Sequence, residues 1–484
     1  MDIIKKVKDI YKNIPIQAKA SGWFFVCSFL QKAIAVVSTM IFTRLMSSDD
    51  YGIISIFNTW SDVLYILATL NLSTGVYNVG MTKFSSERQE FNSSLQLLAL
   101  FWNIGFSTVF LIIYRYIAKI IQLPFSMMIL MFITFCFLPA FNLWSAKQRY
   151  ENKYKELVIV SISYALVILM ISLIAILNFN NKSIAKIVSN SVVMILFGAI
   201  LFINNLNFQG KKIRKDFIAF ALKFNLPMIP AFLSMVILNQ IDRIMISSQV
   251  SLSKAGIYSV AYSSAMFISI LSTAINATYN PYLMQKIHVK KYDKVSDVTK
   301  IISLFFVGVI IFFIILAPEF IRVMASSEYY EAIYVVPPVA ASTFFTLIYT
   351  YYCPFAQYYL KMKFLVFINI GVAVINIILN YWGISIFGYF AAGYTTYIGF
   401  LIYGWGTVFY TKSIMRKEIG SITIYDERFF FILTVLLTIA MISINFLYRT
   451  YLLRYAILFA LLILAWVQRN KMYSIINDMR KKNE

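Results

Sequence analysis

Few ionisable side chains interrupt the apolar stretches of this chain, and those few are the residues able to do chemistry. Lys32 and Asp62 are the clearest pair. A charge at the centre of a membrane helix costs roughly 2.5–3.5 kcal/mol on insertion scales, so such a group reads as functional or paired. Lys32 precedes Arg44 by twelve residues, about 18 Å of helix at 1.5 Å per residue. Asp62 follows Gly52 by ten residues, about 15 Å along the returning helix. The two therefore share a depth on consecutive antiparallel helices. Ser55, Asn58, Asp62, Tyr65 and Thr69 recur every three or four residues. That spacing marks one face of the second helix, which should line a wet cavity. Lys32 offers a cation to an anionic group. Asp62 is either its neutralising partner or a proton or sodium site. Lys223, a short way inside the seventh apolar stretch, either snorkels to the interface or adds cationic charge to the interior. Arg44 and the neighbours Asp242 and Arg243 stand at the outer ends of their helices. They read as interfacial anchors, as an ion pair, or as contacts for an anion.

The elements that must position these groups are membrane helices. The chain has 484 residues, 60% hydrophobic and 13% charged, with a mean hydropathy of +0.74, whereas soluble domains hold about 25% charged residues. Fourteen apolar stretches approach the roughly 20 residues that a crossing needs. They include 21–42, 52–79, 217–247, 332–358, 386–410 and 452–468. Backbone groups in lipid must be bonded internally, so stretches of this length and composition read as helices. The net charge of +22 reflects topology rather than nucleic-acid binding. Lysines and arginines alternate between loops, with a roughly threefold excess on the side of the N-terminus, the positive-inside pattern. An even number of spans with both termini cytoplasmic follows. The long first stretch, interrupted by Lys32 and lacking a small-residue cleavage site, argues against a cleaved signal peptide.

Several chemistries lack their residues. His288 is the only histidine, so neither a Ser/His/Asp triad nor a histidine-based zinc site can be assembled. Cys27, Cys136 and Cys353 are isolated and suggest neither disulfides nor a metal site. Gly210-Lys211-Lys212 lacks the upstream glycine of a phosphate-binding loop. No enzyme, metal or cofactor is expected. A repeat organises the chain instead. Arg44-Leu45-Met46 followed by Tyr51-Gly52-Ile53 returns about 200 residues later as Arg243-Ile244-Met245 followed by Ala255-Gly256-Ile257-Tyr258. An even number of helices separates the copies, which predicts two parallel six-helix lobes. The expected division is 1–204 for the first lobe, 205–216 for a cytoplasmic linker, 217–410 for the second lobe, and 411–484 for two appended helices and a cytoplasmic tail. The fold class is therefore an all-α polytopic membrane protein. Lys32 and Asp62 both lack counterparts in the second copy.

Phe42-Thr43-Arg44-Leu45-Met46 with Tyr51-Gly52 resembles the first-hairpin signature of bacterial polysaccharide-repeat-unit flippases, the O-antigen or Wzx-like transporters. Their superfamily also holds MATE exporters and the lipid II flippase. Asn225-Leu226-Pro227-Met228-Ile229-Pro230, running on to Ala255-Gly256-Ile257-Tyr258-Ser259, resembles the family's seventh-to-eighth span region, and Gly388-Tyr389-Phe390-Ala391-Ala392-Gly393 its twelfth-span motif. The resemblance implies a polyprenyl-pyrophosphate-linked oligosaccharide as cargo, carried by alternating access in a monomer of the bacterial inner or plasma membrane, with no nucleic-acid partner. It implies substrate contacts at Lys32, Arg44, Asn58, Lys223 and Arg243, and coupling to H+ or Na+, or pairing, at Asp62 and Asp242. Asn225, Asn239, Gln240, Asn276, Asn280, Asn376 and Asn380 would offer partners to sugar hydroxyls, and Tyr349, Tyr351, Tyr352, Tyr394 and Tyr397 stacking faces. A MATE-type exporter of cationic drugs and a lipid II flippase are the alternatives. The first would need an anionic interior, against Lys32 and Lys223.

Overall fold

The computed structural model describes residues 16–206, 213–420, 424–460 and 463. These residues form helices joined by short turns, with no strand among them. The chain divides into two compact units, Met1–Val236 and Ile237–Glu484. Half of the 205–216 linker, the end of the last apolar stretch, the first four lysines and the tail lie outside the described residues.

The first unit contains α1 (Ile16–Leu45), α2 (Ser48–Thr69), the short α3 (Val76–Lys83), α4 (Arg88–Ile121), α5 (Phe125–Tyr150), α6 (Tyr154–Asn178), α7 (Lys182–Asn205) and α8 (Lys215–Asn225). It ends inside α9 (Ile229–Gln249). The second unit adds α10 (Leu252–His288), α11 (Val295–Ile315), α12 (Ala317–Met324), α13 (Val336–Tyr358), α14 (Lys363–Phe387), α15 (Phe390–Glu418) and α16 (Glu427–Leu447). A shorter apolar helix, α17 (Tyr451–Ala460), follows.

Among the described residues, eleven helices are long and apolar enough to cross a membrane. There are twelve if the 3-10 segment Ser327–Tyr334 and α13, bent by 50°, make one span. Against the expected fourteen, α15 is long enough at 29 residues but diluted by Gly, Thr and Tyr. Only ten residues of α17 are described. The second apolar stretch is not one helix. α2 stops at Thr69, Leu70 and Asn71 take φ of 56° and 49°, and Gly75 takes 72° before α3 begins. Hydropathy is blind to this turn, whereas the run Asn71-Leu72-Ser73-Thr74-Gly75 carries the turn chemistry. The seventh stretch breaks into α8, a 3-10 turn at Leu226–Met228 and α9, because Pro227 has no N–H to give a helix.

Helices start where a side chain can accept the first orphan N–H groups. Ser47 accepts from Asp50 N at 3.2 Å to open α2. Asn181 accepts from Ile184 N at 3.1 Å to open α7, and Ser251 from Lys254 N at 3.2 Å to open α10. Lipid gives little hydrophobic drive between helices, so packing relies on small residues and polar ties. A Cβ on Gly198 of α7 would meet Phe137 of α5 at 2.8 Å. Asn205 ties three helices: its amide donates to Gln96 Oε1 and Ala140 O, each at 2.8 Å, while its carbonyl accepts from Gln89 Nε2 and Ser93 Oγ, each at 3.1 Å. Phe217 and Ala221 of α8 complete a core with Leu70, Leu72, Tyr77 and Phe91. Asn225 Nδ2 then donates to Leu70 O at 2.8 Å and Asn71 O at 3.2 Å, satisfying the carbonyls that α2 leaves open. Large apolar side chains such as Phe101, Ile112 and Phe446 stay exposed, as lipid-facing surfaces do.

Candidate functional site

In the first unit, α1 and α2 pack on different neighbours: α1 against α6, and α2 against α4, α5 and α7. Lys32 sits half-buried on α1, and Arg44 is exposed at its C-terminal end. Asn58 and Asp62, one turn apart on α2, are both exposed. The rest of the expected polar face is divided. Ser55 and Thr69 are buried, and the half-buried Tyr65 accepts from Asn142 Nδ2 at 2.8 Å. Lys223 is exposed in the last turn of α8.

A further cation lies inside the first unit. Lys186, 8% exposed, holds its ammonium 3.7 Å from the centre of the Phe42 ring and 5.4 Å from that of Tyr51. One turn earlier, Lys182 Nζ donates to Leu45 O at 2.5 Å. α7 thus grips the hairpin motif through aromatic faces and a carbonyl. The i, i+4 spacing of the two lysines, which puts them on one helix face, was the readable signal.

In the second unit, Asp242 is fully buried on α9 and takes three neutral donors. Tyr258 Oη of α10 and Thr396 Oγ1 of α15 donate to Oδ2 at 2.5 and 2.7 Å, and Asn380 Nδ2 of α14 donates to Oδ1 at 2.6 Å. Behind them, Thr395 Oγ1 donates to Asn380 Oδ1 at 2.5 Å, and Asn380 Nδ2 also reaches Asn376 Oδ1 at 3.1 Å. The buried Asn376 Nδ2 has no partner among the described residues. Arg243 turns elsewhere. Its Nε donates to Ser259 Oγ at 3.2 Å, and its Nη1 to Asn239 O at 2.9 Å and Gln240 Oε1 at 2.5 Å. Its guanidinium lies 4.4 Å from the Tyr262 ring centre. The adjacent Asp242 and Arg243 therefore serve two different networks.

Isolated charge in a low-dielectric interior is costly, so a buried carboxylate is supported by donors, by a proton or by a cation. Here the α9 carboxylate meets two hydroxyl groups and one amide N–H from three other helices, neutral donors that support its charge in place of a proton or a monovalent cation. Among the described residues, no three His, Cys, Asp or Glu side chains cluster as a metal site. The sequence singled out Asp242, Asn376 and Asn380 separately. It did not join them, because the segments are far apart in the chain, and it missed Thr396, which any helix could carry. Tyr351, Tyr352 and Tyr397 are buried in the second unit's core, and Asn225 caps α2.

Residues 41–334 match the family described as polysaccharide biosynthesis protein. No curated protein matches the chain by sequence. Solved structures match by fold. Lipid II flippase MurJ, in an inward closed conformation, gives a TM-score of 0.67 at 14% identity, covering 93% of this chain and 99% of that one. An inward-facing multidrug resistance MATE family transporter of the MOP superfamily gives 0.56 at 10% identity, covering 84% and 99%. A MOP superfamily transporter from Pyrococcus furiosus, described by the reverse polarity of its binding pocket, gives 0.57 at 11% identity, covering 83% and 96%. At these identities the likeness is one of fold.

Proposed function

The chain belongs to the polysaccharide biosynthesis protein family, and from that premise we propose that it flips polyprenyl-pyrophosphate-linked oligosaccharide repeat units from the inner to the outer leaflet of the bacterial inner membrane. It works as a monomer by alternating access, with both termini cytoplasmic. The observation that carries this reading is the extent of the family match, residues 41–334, which takes in the Phe42–Gly52 motif and reaches Asp242 and Tyr258. The fold shared with a lipid II flippase supports a lipid cargo.

The pyrophosphate must pass a layer where unpaired charge is prohibitive. Lys32 offsets that cost as a point charge, and Arg44 receives the group at the outer side through a bidentate fork. Lys223 adds positive charge, and Asn58 offers an amide to a sugar hydroxyl. Arg243 is bonded to three acceptors, Ser259, Asn239 and Gln240. Asp242 is the coupling carboxylate: uptake of a proton or sodium ion there replaces donors from α10, α14 and α15 and so alters how those helices hold α9. Asp62 stands as a second coupling group or as the partner of Lys32.

Surface glycan in cells lacking their native flippase tests this. Lys32→Ala should abolish glycan, and Lys32→Arg should retain part of it. Full complementation by Lys32→Ala at normal membrane expression would rule out its phosphate role. Recovery in the double change Lys32→Ala with Asp62→Asn would make the pair structural. If the unmodified chain expels a cationic dye and leaves glycan unrestored, the exporter reading replaces this one.

A further inference from the structure

A recess of about 850 Å³ opens in the second unit where α11 begins, α15 ends and α16 begins. Its charged lining comprises Lys300, Lys412, Arg416, Asp426, Glu427 and Arg428. Both acids are committed. Lys300 Nζ lies 2.7 Å from Asp426 Oδ2, and Lys412 pairs with Glu427. Arg416 and Arg428 are both exposed and have no acidic partner among the described residues. The recess therefore carries two surplus guanidinium groups above an apolar floor of Met415, Ile424 and Tyr425. That floor is firm, because Tyr425 Oη donates to Tyr351 O at 2.7 Å and meets Tyr279 Oη at 3.1 Å.

An apolar track leads away from these arginines. Phe409 is seven residues before Arg416 on α15, and Phe431 and Ile432 are three and four residues after Arg428 on α16. Each therefore lies on the same helix face as its arginine. Phe409, Phe431 and Ile432 are 69%, 59% and 55% exposed. Trp405 bridges the first two, with ring centres 6.2 Å from Phe409 and 6.0 Å from Phe431. Two free forks above a strip of exposed rings match a phosphate that carries acyl chains better than they match a free ion. We propose that this recess binds the phosphate headgroup of an anionic phospholipid, with Arg416 and Arg428 as its contacts and its chains along Phe409, Phe431 and Ile432. Such basic pockets between spans at the positive side of a membrane suit acidic lipid headgroups, and paired arginines suit phosphate oxygens bidentately.

The full chain, purified in neutral detergent, is titrated with phosphatidylglycerol. Phosphatidylcholine and inorganic phosphate serve as separate arms. The readouts are the shift in melting temperature and the retained lipid adducts in native mass spectrometry. Phosphatidylglycerol should raise the melting temperature and give a one-lipid adduct, whereas neither other probe does so. Arg416→Gln with Arg428→Gln should weaken that response about tenfold or more. Lys291→Gln with Lys417→Gln, the same charge removed from exposed positions outside the recess, should leave it intact. Arg416→Lys with Arg428→Lys, which keeps the charge and guards against a folding artefact, should lose part of it. An unchanged response in the glutamine pair, an equal loss in the control pair, or the same stabilisation by inorganic phosphate overturns the proposal.

Discussion

Asp242 keeps its buried carboxylate through Tyr258, Thr396 and Asn380. Asp242→Asn removes the charge and keeps an amide oxygen for Tyr258 and Thr396. The protein should insert and melt near the unmodified chain, while the sodium or pH dependence of transport disappears. Dependence that persists in this variant relocates the coupling site. Asp242→Ala should cost far more stability, because it orphans three buried donors at about 1–3 kcal/mol each. Lys186 should show a coupling of about 0.5–2 kcal/mol with Phe42 in a double-mutant cycle built from Lys186→Met and Phe42→Leu. A coupling near zero would mean that ring and ammonium are neighbours without interaction. Lys186 escaped the sequence reading because positive-inside counting assigns a residue near a helix end to a loop. The turn of helix that carries it under Phe42 is a tertiary fact. Asp242 reads from the sequence as a residue at the outer end of its helix, whereas its full burial and its partners on α10, α14 and α15 follow from packing that no spacing encodes.

At the scale of elements, α16 is held by the residue that caps it. Asp426 accepts from Phe429 N at 3.1 Å and pairs with Lys300 of α11. That lysine, and then the Phe429 N–H, hold its carboxyl below the usual carboxylate range. A folded-state pKa below the unfolded one gives stability that is complete above the ordinary value of about 3.9. It is lost as pH falls through the lowered value. Asp426→Asn should keep the cap and flatten this acid limb of a melting-temperature profile. Asp426→Ala should also lose the cap, costing about 1 kcal/mol. If both substitutions give the same melting temperature, the cap carries no stability. Helix ends of this kind were readable from the sequence, and so were the spans. The breaks at Leu70–Asn71 and at Pro227 escape a hydropathy average, which runs across a single turn, although Asn71–Gly75 and Pro227 carry their signals. Gly198 shows a further limit. Composition cannot say which glycine lies under Phe137, and Gly198→Leu should disrupt α5–α7 packing by about 1–3 kcal/mol, read as a lowered melting temperature. An unchanged value would mean that the two helices separate freely.

For the whole molecule, the sequence conveyed the class, because lipid restricts a chain so strongly. It conveyed less about where one compact unit ends. A linker of charged and polar residues at 205–216 looks like a natural boundary, yet the units divide at Val236 and Ile237, inside α9. The reason lies in α8, whose Phe217 and Ala221 fill the first unit's core. A gene split within 207–212 should therefore yield an N-terminal piece that aggregates or is degraded when made alone. A split piece extended through Val236 should survive better. Equal survival of the two pieces would show that α8 is dispensable to the first unit.

Asn225 also sets an order of events during synthesis. The carbonyls of Leu70 and Asn71 are made early, at the close of the second helix, and their partner is encoded some 150 residues downstream. At about 5–20 residues per second, the ribosome needs on the order of ten seconds or more to deliver it. Throughout that interval the second helix of the nascent chain ends on two open carbonyls. Any chaperone or insertase that attends this chain would find two open carbonyls there until Asn225 arrives.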